Sequence, residues 1–203
     1  MTLLRSEVQS NDGTQVSVWT SGCGRPLLIV HGAAGTHHTW EMMREHLDPY
    51  LTVTIMDRRA TSGDPSSRLE MTREFEDVAA VARSLSGDLA VLGHSSGALC
   101  ALGAAPLIPN LRHLLLAQYL PREMAAHLAW TFDPPTYSGV SARTVYLVGS
   151  ETPEENLELR GFIKLLEKAL PSFAVREIPQ QGHFANFFAP QLLAAIILES
   201  IQT

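Results

Sequence analysis

The chain has two cysteines in 203 residues, Cys23 and Cys100. That is too few for a disulfide framework or a zinc site, so both read as free thiols. Positive charge is also scarce. Fifteen Lys and Arg against 21 Asp and Glu give a formal net charge of -6 and a pI near 5.7. Binding to a phosphate backbone needs a concentrated basic surface, so no nucleic-acid partner is expected. Long hydrophobic runs are missing as well. The longest are strand-length or broken by charge, and Arg5 and Glu7 stand near the N-terminus. Neither a membrane span nor a targeting segment is expected, and the cytoplasm is the default location. No His, Asp and Glu set has metal-ligand spacing, so no metal and no cofactor are predicted. What the chain does have is 45% apolar residues, enough to bury the core of one domain spanning 1–203.

The order of apolar segments predicts an α/β architecture. Residues 3–20 alternate around Asn11-Asp12-Gly13-Thr14, a hairpin signal. A continuous apolar strand is expected at 26–30, and further strands at 52–56, 88–92, 111–117, 144–148 and 173–178, as in a parallel sheet covered on both faces. Between them the 3.6-residue period predicts helices over 39–51, 72–85 (capped by Thr72), 98–105, 121–130, 154–170 and 190–201. Residues 61–68, rich in Ser, Gly, Asp and Pro, read as loop.

One pentapeptide carries chemistry. Gly93-His94-Ser95-Ser96-Gly97 stands between a buried strand and a small-residue helix, the context of a nucleophile elbow. A serine hydroxyl needs a base within hydrogen-bond reach. Of eight histidines, His183 in Gln181-Gly182-His183 is best placed, because its loop leaves the same sheet edge as Ser95. His94 is expected to point away from the Ser95 side chain, His31 to stabilise its own loop, and Gly182 to provide the turn. His37 and His38 are either surface residues or part of the pocket mouth. An oxyanion needs donors, and the backbone N–H groups of Ala33 and Ser96 are placed for it. Two carboxylates compete to orient His183: Glu151, favoured because it follows the strand over 144–148, and Asp133 in the preceding connection. Asp57 is read as a structural ion pair with its neighbours Arg58 and Arg59.

Four segments together make the chain resemble the α/β-hydrolase superfamily over nearly its whole length: Val30-His31-Gly32-Ala33-Ala34-Gly35, Met56-Asp57-Arg58-Arg59, Leu92-Gly93-His94-Ser95-Ser96-Gly97 and Gln181-Gly182-His183. The resemblance implies an α/β-hydrolase fold with a mostly parallel sheet, helices on both faces and an N-terminal hairpin. It also implies Ser95 as nucleophile, His183 as base, and the Ala33 and Ser96 amides as oxyanion hole. Two departures stand out. The superfamily's acid commonly lies three residues past the strand-ending glycine, where this chain has Thr152; Glu151 is one residue early. The cap between the two strands is reduced to about residues 118–142, which leaves an open groove. A homodimer partner could cover it through Trp130, Phe132, Tyr137, Phe187 and Phe188, unless those aromatics fill the core. The chemistry expected is hydrolysis of a small-molecule carboxylic ester through an acyl-enzyme. The alternatives are a thioesterase acting on carrier- or CoA-bound acyl groups, or a non-hydrolytic cyclase or ligand-binding member of the fold.

Overall fold

Strands that are apolar along their whole length are stable only where both faces of a sheet are covered. In the computed structural model, which describes residues 1–33, 35–62, 70–117, 132–152 and 157–202, all of those segments but 173–178, which forms an edge strand, lie in the middle of an eight-stranded sheet. Its strands are β1 (Leu4–Gln9), β2 (Gln15–Gly22), β3 (Arg25–Val30), β4 (Leu51–Met56), β5 (Leu89–His94), β6 (Leu111–Ala117), β7 (Arg143–Gly149) and β8 (Phe173–Ile178). They lie in the order β1-β2-β4-β3-β5-β6-β7-β8. The β1–β2 hairpin joins the sheet antiparallel to β4, and β4, β3 and β5 through β8 run parallel.

Alternation along each strand separates two cores. Leu28, Val30, Val91 and Leu116 face helices α3 (Met71–Ser84), α4 (Ser96–Ala104) and α5 (Leu157–Ala169). Leu27, Ile29, Leu92 and Leu115 face α1 (Glu41–Leu47) and α7 (Pro190–Gln202). Two short helices, α2 (Arg59–Ser62) and α6 (Ala185–Phe188), complete the described set. Among the described residues no helix is long and apolar enough to cross a membrane.

Several local expectations change. The segment after β3 begins as a 3-10 turn, His37–Trp40, and the α-helix stops at Leu47 rather than near Leu51. Helix α3 starts one residue before Thr72, with Glu70 at the N-cap position and no side-chain cap. The helix expected over 121–130 lies outside the described residues. Only 25 residues, 118 to 142, separate β6 from β7. Of the aromatics offered for a dimer face, Tyr137 is buried, and Phe132 stacks on it at 4.8 Å between ring centroids. Phe187 and Phe188 are exposed, and Trp130 lies outside the described residues.

The β5–α4 junction is the tightest part of the fold. A Cβ on Gly97 would collide with the carbonyl oxygens of Val30 and His31, and one on Gly93 would lie 2.5 Å from the Ala98 Cα. Backbone on both sides leaves no flexible atom to yield. Gly97→Ala is therefore expected to cost about 3 kcal/mol or more, which for a chain of this length is a fall of about 10 °C in melting temperature. A thermal melt checks this, and an unchanged midpoint would show that the junction can open.

Candidate active site

Ser95 sits in the gap between β5 and α4 with φ 55° and ψ -128°, a left-handed conformation unusual for a residue with a side chain. Its N–H donates to the Ala117 carbonyl at 3.0 Å, so pairing with β6 continues into the strained residue. The turn leaves the side chain against the loop after β3; a Cβ on Gly32 would come within 2.9 Å of the Ser95 Cβ.

His183 reaches the serine from the loop after β8, with Nε2 3.1 Å from Ser95 Oγ. Its loop is latched to the end of β7. The Gln180 amide donates to Ser150 Oγ at 2.7 Å, and the Glu151 amide donates to the Gln181 carbonyl at 3.0 Å. The left-handed residue in this loop is Gln180, φ 56°, and not Gly182, around which an added Cβ would meet nothing. A groove of about 310 Å³ opens over the pair, with Ala33, Trp40, Phe184 and Phe187 among its walls.

Among the described residues no third member joins them. His183 Nδ1 is buried and has no hydrogen-bond partner among the described residues. Glu151 is exposed. Asp133 is also exposed, and its carboxylate accepts from the Thr136 hydroxyl at 2.7 Å. The structure thus brings Ser95 and His183 together and leaves both candidate acids off His183.

The two expected oxyanion donors belong to different segments. Ser96 opens α4, where first-turn amides lack intrahelical acceptors. Its hydroxyl is already taken, accepting from Arg58 Nη1 at 2.9 Å. Ala33 follows Gly32 in a turn closed by the Gly35 amide on the Gly32 carbonyl, 3.2 Å.

Arg58 and Arg59 do not pair with Asp57. Arg58 is buried against Glu74 at 2.8 Å, and Arg59 reaches Asp77 and Asp12. Asp57 instead accepts from the Trp19 indole at 2.8 Å, and from the amide and ring of His37 at 2.8 and 2.9 Å. Burial alone would raise the Asp57 pKa, but these donors hold it below the usual carboxylate range. His37 is consequently a buried second-row residue stacked on Trp19, whereas His38 is exposed and paired with Glu41. Ring or carboxylate atoms of His37, His38 and Glu41 lie within 4.8 Å of one another. The two rings are tilted by 40° with centroids 3.9 Å apart, and their Nδ1 atoms are engaged by Asp57 and Glu41. Cys100 is buried beside Glu74, and burial pushes its thiol up to about 12, which keeps it unreactive.

Sequence reasoning missed His94. It was expected to face away, yet it lines the groove, and its Nε2 donates to the His183 carbonyl at 2.9 Å. The alternation rule holds only in extended backbone, and the positive φ of Ser95 breaks it at that residue.

A family profile described as the alpha/beta hydrolase family matches residues 27–139. Three solved structures share the fold at low identity. An alpha/beta hydrolase from Sphaerobacter thermophilus is 21% identical over 97% of this chain and 100% of its own, with TM-score 0.76. An esterase from Exiguobacterium antarcticum is 14% identical over 98% and 100%, with TM-score 0.79. The naproxen esterase of Bacillus subtilis is 11% identical over 98% and 91%, with TM-score 0.77.

His31 gives the site a pH dependence of stability. Its Nδ1–H donates to the Gly32 carbonyl at 2.8 Å and its Nε2 accepts the Arg58 amide at 3.2 Å, a pattern that needs the neutral ring. Burial, the largest cause, lowers its pKa below the ordinary 6.5. A depressed folded value means the unfolded chain takes the proton first. The contribution is complete above pH 6.5 and is lost as pH falls toward the folded value. His113, also lowered by burial, acts in the same direction. Melting temperature is expected to fall from pH 7 to pH 5, and His31→Gln is expected to flatten that slope. Parallel slopes for the two proteins would refute the assignment.

Proposed function

Since the chain belongs to the alpha/beta hydrolase family, as its match over residues 27–139 establishes, we propose that it is a serine hydrolase that cleaves a carboxylic ester through an acyl-enzyme. The observation that carries this reading is the 3.1 Å contact between Ser95 Oγ and His183 Nε2, made at a strained elbow. Ser95 attacks the ester carbonyl while its proton passes to Nε2. The oxyanion so formed is met by the Ala33 and Ser96 amides. The tetrahedral species collapses, the alcohol leaves with the proton from His183, and the acyl group stays on Ser95. Water then gives a proton to His183, attacks the acyl carbon, and releases the acid with Ser95 restored. The same steps act on a thioester. The apolar rings of Phe184 and Phe187 at the groove favour an apolar acyl group in either case.

A second reading has one observation in its favour. With no acceptor on His183 Nδ1 among the described residues, the imidazolium formed during attack carries a buried N–H that those residues leave unpaired, a cost of about 1–3 kcal/mol. That weakens the base and would suit a ligand-binding or cyclising member of the fold.

Turnover of an aryl acetate separates the readings, and parallel assays with an acyl-CoA separate ester from thioester. Ser95→Ala and His183→Ala are each expected to lose on the order of a thousandfold in kcat with the fold intact. Full activity in Ser95→Ala, or no activity in the folded parent, would contradict the hydrolase reading.

A further inference from the structure

Among the described residues no carboxylate stands behind the His183 ring, and other contacts hold it at the serine. The loop anchors described above fix residues 180 and 181 to the end of β7. Beyond them lies Gly182, with open space where a Cβ would be, a natural pivot for whatever follows. The next fixed point is the His183 carbonyl, which accepts from His94 Nε2 at 2.9 Å. A carbonyl only accepts, so His94 carries its proton on Nε2. His94 is itself held firmly. It is 7% exposed and meets the fully buried Trp40 edge-on at 5.6 Å. Its ring lies 5.0 Å from that of His183.

Two consecutive residues therefore grip both halves of His183, His94 its main chain and Ser95 its imidazole. We infer that His94 is the positioning residue for the base: by holding the His183 carbonyl it stops rotation about Gly182 and sets the reach of Nε2 to Ser95 Oγ. This rests on the hydrolase reading and adds to it a group that holds the base in place. It acts through His183 and touches no reacting atom.

Two variants test it. His94→Phe keeps an aromatic ring on Trp40 and removes the donor, whereas His94→Gln keeps a side-chain N–H. With an aryl acetate, His94→Phe is expected to lose about tenfold or more in kcat, as misplacement of a catalytic group does, with KM within about twofold of the parent. His94→Gln is expected to recover most of that loss, and both variants should melt with the parent. An undiminished kcat in His94→Phe overturns the inference. So does equal impairment of the two variants, which is the signature of a merely structural residue. A folded parent without esterase activity would instead overturn the hydrolase reading itself, and the role of His94 with it.

Discussion

The structure depends most on the left-handed backbone of Ser95, which is squeezed between a strand and a helix that leave it no other path. Such a conformation costs on the order of 1–3 kcal/mol in a residue with a side chain. It persists because its surroundings over-determine it. Ser95 Oγ is brought to the groove by a main chain that pairs with Ala117 on one side and enters α4 on the other. Gly93 and Gly97 permit the close approach. Relaxing that turn would remove the serine from His183 and, on the proposed mechanism, the Ser96 amide from the oxyanion as well.

Behind the elbow lies a second constraint, the buried Arg58. It binds Glu74 on α3, the His31 carbonyl after β3 and the Ser96 hydroxyl on α4. One guanidinium thus ties together the loop bearing Ala33 and the helix bearing Ser96. A buried ion pair of this kind is weak evidence of net stabilisation, but removing one partner strands a charge and costs about 3–5 kcal/mol. Its value here is geometric. The Ala33 and Ser96 amides come from segments far apart in sequence, and Arg58 holds the backbones that carry them in fixed register.

Much of this was legible in the residues. Strands buried on both faces appear as apolar runs, which is why β3 to β6 fell where the sequence placed them, and the elbow motif located the junction. The errors share a cause: they depend on contacts between distant segments. Arg58 looked like a partner for its neighbour Asp57 but reaches across to α3. Gly182 looked like the turn residue because glycine tolerates a positive φ, yet Gln180 adopts it. His94 was assigned by an alternation rule that fails at the very residue whose strain defines the site. The acid was not legible because Glu151 and Asp133 are placed by loops whose approach to His183 no local pattern encodes.

The central claim is that the hydroxyl at position 95 is activated by the imidazole at position 183. Intact-mass measurement after exposure to a fluorophosphonate tests it most directly, since the reagent marks only an activated serine. One adduct per chain, mapped to Ser95 and absent when His183 is replaced by alanine, is the predicted result. A folded protein that takes up no label, or takes it up elsewhere, would contradict the account.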